Sequence, residues 1–322
     1  MTQLPVKEVS GLALKLEKLK EKVRQLAQRG LEGADNTRKA YQTDLKQFES
    51  WCLEYEQIAC PVSPETLVTY LAFLQDKYKW ASIQRKISAI RKLHELRNEE
   101  YPSKDVKVKS VLEGLKREKS IRQNQAPAFT IDEFKKTAGS LENDILHELR
   151  DKMVLILGFT GAFRRSELVS INIEDLRFQE DHLIIGMKNS KTNQYGEIEE
   201  KVFFKSEDPA ICPITTLQAW LNHLPASGPL FVRFRKGERH GEIKLTEERL
   251  SDKSVDNIVK HYFGKEYSAH SLRASFVTIA KLNGADDMEV MQQTKHKTSL
   301  MIQRYTRINN ITEFNAVKKI KI

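Results

Sequence analysis

The 322-residue sequence is poor in features that would suit it to an oxidising compartment or a membrane. Its three cysteines, Cys52, Cys60 and Cys212, cannot all pair, and none sits in a CxxC or Cys/His spacing that would seat zinc. The longest wholly apolar stretch, MVLILGF at 153–159, falls far short of the roughly 20 residues that cross a bilayer. Charges at Lys7, Glu8, Lys15, Glu17, Lys18 and Lys20 leave no apolar secretory segment in the first twenty residues. There is no GxxxxGK[ST] loop, no internal repeat, no low-complexity tract and no clustered Asp/Glu pair at metal-ligand spacing. The expectation is a reduced, cytoplasmic chain that is not a membrane protein and needs neither a metal, a cofactor nor ATP.

What is present is a globular composition, 40% hydrophobic and 30% charged, with a mean hydropathy of −0.52. The length favours two domains. The formal charge is +9, and the excess is uneven: between residues 77 and 122 there are 14 Lys and Arg against 6 Asp and Glu. A solvated helical surface would mix its signs more evenly, so a polyanionic partner is the better reading of that segment.

Apolar periodicity makes the first half helical. Leu12, Leu16, Leu19, Val23 and Leu26 share one face of a helix over 11–29, too short a pattern for a coiled coil. Asp35 is placed to cap a helix over 36–55, and Ser63 one bracketed by Pro61 and Pro64. Ser82 is read as opening a further helix with Ile83, Ile87 and Ile90 inward, and a fifth covers about 104–120. Residues 1–122 are therefore expected to form an all-helical domain with basic outer faces, followed by a polar linker at 123–128. Residues 129–322 then read as a mixed domain, starting at the Thr130 cap. In it helices near 147–163, 166–171, 213–224, 251–263, 271–283, 286–294 and 299–306 surround a hairpin within 182–204. The fold class is mainly α with a small antiparallel β-sheet.

Four patches of that second half carry reactive side chains: GAFRRSEL (161–168), the hairpin lysines Lys188 and Lys191, HSLR (270–273) and KHKTSLMIQRYT (295–306). Arginines, a lysine, two histidines and a tyrosine suit phosphoryl transfer at a phosphodiester. Guanidinium forks stabilise the added negative charge of the transition state without a metal. A phenol is a nucleophile whose phosphate ester a DNA hydroxyl can reverse, and a lysine can protonate the departing oxygen. Each patch alone is weak; an isolated HxxR, for instance, is more often structural.

In combination, R-x-S-E-L, a hairpin lysine, H-x-L-R and a His nine residues before a Tyr resemble the tyrosine recombinase (phage integrase) family across about residues 36–310, the helical first half being similar to the core-binding domain of Cre-like members. The resemblance implies that Arg164 and Arg273 clamp the scissile phosphate, that His270 and His296 assist proton transfer, and that Lys191 is the general acid. It also makes Tyr305 the nucleophile forming a 3′-phosphotyrosyl intermediate, with Glu167 orienting the site from behind. It further implies recombination through a Holliday junction by a tetramer holding two double-stranded DNA sites. Arg165 rivals Arg164, since TGAFRRSEL holds one residue more than the family's usual TGLRxSEL, and Lys188 rivals Lys191. Lys295 stands where the family usually has glycine, at a turn that would strain a lysine. Lys79, Arg85, Lys86, Arg91, Lys92, Lys116, Arg117 and Lys119 are the candidate DNA contacts, mostly to phosphates. A short tail helix over 308–322, with Ile311, Phe314 and Val317 on one side, is expected to dock on a neighbouring subunit. The rival readings are a type IB topoisomerase-like relaxase and an inactive DNA-binding regulator.

Overall fold

A computed structural model describes residues 35–119, 126–187, 199–236 and 243–305, with residues 19, 21 and 22 besides. Those three are helical, and the rest of the helix read over 11–29, the linker to residue 125, both hairpin lysines and the tail helix lie outside the described residues. The chain divides into two compact units, Met1–Asn124 and Gln125–Ile322.

From residue 35 to residue 119 the first unit holds α1 (Asp35–Glu54), α2 (Pro64–Gln75), α3 (Trp80–Arg97) and α4 (Val106–Glu118). Ser63 caps α2, its Oγ accepting from the Thr66 N–H at 3.1 Å with Pro64 in the first turn. Asp105 caps α4 through the Val108 N–H at 3.0 Å. Helix α3 ends on Asn98, which takes a left-handed conformation at φ 54° and returns its N–H to the last carbonyls. The start of α3 departs from the sequence reading. It begins at Trp80, with Lys79 in the cap position, and Ser82 already lies inside the first turn. Phe48, Trp51 and Tyr70 pack ring on ring at the centre, joined by Leu67, Leu71, Leu74, Ile83, Ile87 and Ile90.

In the second unit, α5 (Ile131–Gly139) opens on a reciprocal cap between Thr130 and Glu133. Helix α6 (Leu146–Thr160) then runs through the core, with Met153 to Phe159 buried all round, which accounts for the apolar run in the sequence. A short α7 (Arg165–Ser170) follows, then strands β1 (Leu176–Phe178), β2 (His182–Met187) and β3 (Glu199–Phe204) in one antiparallel sheet of that order. Leu183 pairs with Phe203 and Ile185 with Lys201. Helix α8 (Pro213–Leu221) leads to a second, two-stranded sheet, β4 (Val232–Lys236) with β5 (Ile243–Arg249), which the sequence reading had not assigned. Four more helices follow among the described residues: α9 (Asp252–Phe263), α10 (Ala269–Leu282), α11 (Asp287–Thr294) and α12 (Ser299–Tyr305). Ile302 of α12 is fully buried against Val277 of α10 and Val290 of α11, which fixes the backbone of α12. Among the described residues no helix is long and apolar enough to cross a membrane.

Candidate active site

The site is organised around the point where α6 stops. Gly161 ends the helix, and a Cβ there would lie 2.4 Å from the Phe163 ring and 2.8 Å from the Leu157 carbonyl oxygen, so only glycine fits. Ala162 then takes a left-handed turn at φ 45°, and Phe163 is buried. This turn and buried ring accommodate the additional residue of TGAFRRSEL before the chain enters α7.

Arg164 and Arg165 leave that turn in different company. Arg164 precedes α7, and the buried Glu167 carboxylate accepts both from its backbone N–H, at 2.9 Å, and from its guanidinium. Its side chain keeps 21% of its surface in solvent, enough for a further ligand. Arg165 turns to α9, where it pairs with Asp252 at 3.0 Å and with Asp256. Asp256 also accepts from the Ala269 N–H at 2.9 Å and so ties α9 to the start of α10.

From α10 comes Arg273, 1% exposed. Two of its five N–H donors are given to backbone, Nη1 to the Ala162 carbonyl and Nη2 to the Thr294 carbonyl, each at 2.6 Å. His270, one turn earlier, is exposed. Lost hydration, then the Arg273 and Arg164 guanidiniums, hold its pKa below the ordinary value, with Asp256 pulling the other way.

Thr294 ends α11, and Lys295 follows in a left-handed conformation at φ 55°, ψ 39°. The turn therefore keeps the geometry that glycine would favour, with lysine bearing a cost of about 1–2 kcal/mol. It delivers His296 to a buried position whose pKa is pushed down to about 3, by lost hydration first and then by Arg273, Arg164, Lys201 and His270. Both rings are thus neutral near neutral pH, suited to exchanging a proton rather than to supplying charge. The His296 shift has a consequence for stability. Unfolded histidine titrates near 6.5, so below that pH the unfolded chain takes up a proton that the folded chain refuses, and stability falls as the pH drops toward about 3. Each unit of that window costs up to about 1.4 kcal/mol. Urea unfolding at about pH 7 and about pH 5 should show a smaller acid loss for His296→Gln than for the parent chain; equal losses would remove His296 as the cause.

One residue of the cluster was missed in the sequence. Lys201 on β3 is 1% exposed, and its ammonium donates to the Gly161 carbonyl at 2.5 Å and to the Gln293 carbonyl, 4.7 Å from the centre of the Phe163 ring. Lost hydration and then Arg273 hold its pKa well below that of ordinary lysine, against the pull of Glu167. The available signal was strand parity: in β3 the inward positions are Lys201 and Phe203, while Val202 and Phe204 face out. The hairpin lysines Lys188 and Lys191 lie outside the described residues. Tyr305 closes α12, and only its backbone is described. Among the described residues no three His, Cys, Asp or Glu side chains are gathered as a metal would require.

Arg164, Glu167, His270, Arg273 and His296 are thus assembled in one neighbourhood of four cation-capable groups around a single carboxylate, with Lys201 behind them. In the first unit, Lys79, Arg91, Lys116 and Arg117 are exposed, while Lys92 and Lys119 are half-buried. Arg85 is half exposed but holds Asp44 through two hydrogen bonds. Lys86 is a correction: it is 2% exposed and spends its donors on Asp44 and Gln47, so it is interior and cannot reach a phosphate.

Comparison with known proteins bears on what this arrangement does. A model of the phage integrase family matches residues 129–311, and one of the phage integrase N-terminal SAM-like domain matches residues 25–100. The chain is 35% identical to an integrase/recombinase xerD homolog of Selenomonas ruminantium, over 89% of this chain and 86% of that protein. It is 25% identical to the tyrosine recombinase XerA of Pyrococcus horikoshii, over 91% and 90%. Its fold is similar to that of the Tn1549 transposon integrase solved in complex with transposon right end DNA, with a TM-score of 0.61 at 15% identity over 93% of this chain and 96% of that one.

Proposed function

The chain belongs to the phage integrase family of tyrosine recombinases, and on that premise we propose that it cuts and rejoins double-stranded DNA at a specific site through a covalent link to Tyr305. The observation that carries this reading is the convergence of Arg164, His270, Arg273 and His296 on the turn that follows α6.

In the proposed step, Arg164 and Arg273 hold the non-bridging oxygens of one phosphate and stabilise the charge added in the transition state. The Tyr305 oxygen bonds to phosphorus, its proton passing to a neutral histidine of the site, His270 being the more open of the two. The bond from phosphorus to the 5′ oxygen breaks, and Lys191 gives that oxygen a proton. The product is a 3′-phosphotyrosyl link and a free 5′ hydroxyl. Attack by a 5′ hydroxyl from a second duplex reverses each transfer, so no ATP is consumed. Glu167 acts through Arg164, holding its guanidinium and its backbone N–H at once. Neither Lys191 nor the ring of Tyr305 falls within the described side chains, so their parts rest on the family pattern.

Completed exchange would pass through a Holliday junction in a tetramer holding two sites in the cytoplasm, with the tail over 308–322 linking subunits. The first unit, residues 1–122 in the sequence reading, would grip the duplex through Lys79, Arg91, Lys92, Lys116, Arg117 and Lys119, with Arg85 beside them. The deciding measurement incubates the chain with a nicked duplex library in EDTA and resolves protein–DNA adducts under denaturing conditions. An adduct is expected with the parent and none with Tyr305→Phe, which should keep DNA affinity within about threefold of the parent because only a hydroxyl is lost. An adduct that survives in Tyr305→Phe would overturn the assignment, and DNA binding by the parent without any adduct would favour the inactive regulator.

A further inference from the structure

Three consecutive backbone carbonyls close α6, and each is held by a side chain from a different element. Gln293 of α11 donates its Nε2 to the Thr160 carbonyl at 2.9 Å. Lys201 of β3 donates to the Gly161 carbonyl at 2.5 Å, and Arg273 of α10 to the Ala162 carbonyl at 2.6 Å. Two of the three donors also reach the end of α11, Lys201 at the Gln293 carbonyl and Arg273 at the Thr294 carbonyl. The side-chain amide of Gln293 also lies 3.3 Å from the Val202 carbonyl of β3. Two helix ends are thereby laced together residue by residue, Gly161 with Gln293 and Ala162 with Thr294. Three residues beyond Gly161 stands Arg164; three beyond Gln293 stands His296.

A buried lysine is a costly choice for a spacer, since an apolar side chain would fill the same volume without being desolvated. Its advantage is reach combined with charge. Helix C-termini present carbonyls with a partial negative charge, and a single ammonium can hold two of them. The same contacts commit two of its three protons to backbone carbonyls. We propose that Lys201 is a positioning residue for strand cleavage, holding the ends of α6 and α11 at the separation that lets Arg164 and His296 meet the same phosphate. The proposal rests on the recombinase reading and adds to it a residue outside the set that the sequence motifs pick out.

The test uses the full chain on a nicked duplex carrying its site, with DNA affinity, the fraction of protein that reacts and the single-turnover rate measured separately. Lys201→Met should bind DNA within about threefold of the parent and cleave about a hundredfold more slowly, the scale expected when phosphate-holding groups lose alignment. A second duplex bears sulfur in place of the bridging 5′ oxygen, a leaving group that departs without a proton. It should leave the Lys201→Met defect in place, because Lys201 is not the acid. Gln293→Met removes the neighbouring tie from a less buried position and should cleave about tenfold more slowly. In the double variant the two losses should be less than multiplicative, as for groups that hold one junction. Cleavage by Lys201→Met at the parent's rate, or its rescue by the sulfur substrate, would overturn the proposal. If Lys201→Met does not fold, full-rate cleavage by Gln293→Met would do the same. A parent that binds DNA and forms no adduct would instead overturn the recombinase reading itself.

Discussion

Replacing Arg273 by alanine should lower the free energy of unfolding by about 3–5 kcal/mol and slow DNA cleavage by at least about a hundredfold. The two losses have separate causes. Arg273 is among the largest fully buried side chains, and its removal opens a cavity between α6 and α11. It also strips the carbonyls of Ala162 and Thr294 of their donors at 2.6 Å, and an unsatisfied buried acceptor costs about 1–3 kcal/mol. The catalytic loss is that of one of the two guanidiniums assigned to the phosphate. Arg273→Lys separates the contributions. A lysine keeps the charge and fills most of the volume, but cannot present a planar fork to two carbonyls and a phosphate together. It should recover more than half of the lost stability and little of the lost rate. Guanidinium chloride unfolding and single-turnover cleavage of a nicked duplex read the two effects. Cleavage at the parent's rate by either Arg273 variant would place the phosphate elsewhere.

The parts of this fold that could be read in the sequence are those set by local chemistry. Ser63 followed by Pro64, the Thr130 cap, and the apolar stripe of Ile83, Ile87 and Ile90 each carry their structure in a few neighbouring side chains, and each is found as read. Ser82 misled because a hydroxyl next to an apolar stripe has the composition of a cap, whereas the chain had already turned helical at Trp80. The β4–β5 hairpin was overlooked although V-R-F-R and I-K-L-T alternate apolar with polar residues as half-buried strands do, each run being only a few residues long between charged neighbours. The site was legible as a set of residue types, since His270 and Arg273 share a helical face and Glu167 lies one helical turn beyond Arg164. What separates the adjacent arginines is tertiary: Arg165 meets Asp252 and Asp256, far away in sequence, while Arg164 keeps to its neighbour Glu167. Lys201 and Lys86 escaped for the same reason. A lysine in sequence reads as surface, and only the tertiary structure shows that one lies under the site and the other under a carboxylate.

Lys86 supports the second large effect. Asp44 is 2% exposed, and its carboxylate accepts from Lys86 at 3.0 Å and from Arg85 at 2.7 and 3.1 Å. Burial alone would raise the Asp44 pKa, and the hydrogen bonds from Arg85 and Lys86 more than reverse it, so the carboxyl sits below its ordinary value. Asp44→Ala should therefore destabilise the chain by about 3–5 kcal/mol, because it leaves the Lys86 ammonium enclosed without its counter-charge beside the Tyr78 ring. Lys86→Met alone should cost only about 1–2 kcal/mol, since Arg85 stays on the carboxylate. The double change Asp44→Leu with Lys86→Met should fall well short of the Asp44→Ala loss, as apolar replacements of buried ion pairs often do. The acid response has a definite sign. A depressed carboxyl contributes stability that is present above its unfolded pKa near 3.8 and is lost as the pH falls through the folded value, so the parent should lose this contribution in acid and the double variant should not. DNA binding supplies the remaining contrast. Lys86→Met should leave the salt dependence of affinity unchanged, whereas Arg117→Ala, at an exposed position, should lower its slope by about 0.9 for each phosphate that the arginine neutralises. If Lys86→Met instead reduced that slope, the interior ammonium would have to leave Asp44 on binding DNA, and the penalty of about 3–5 kcal/mol expected for Asp44→Ala should shrink in the complex.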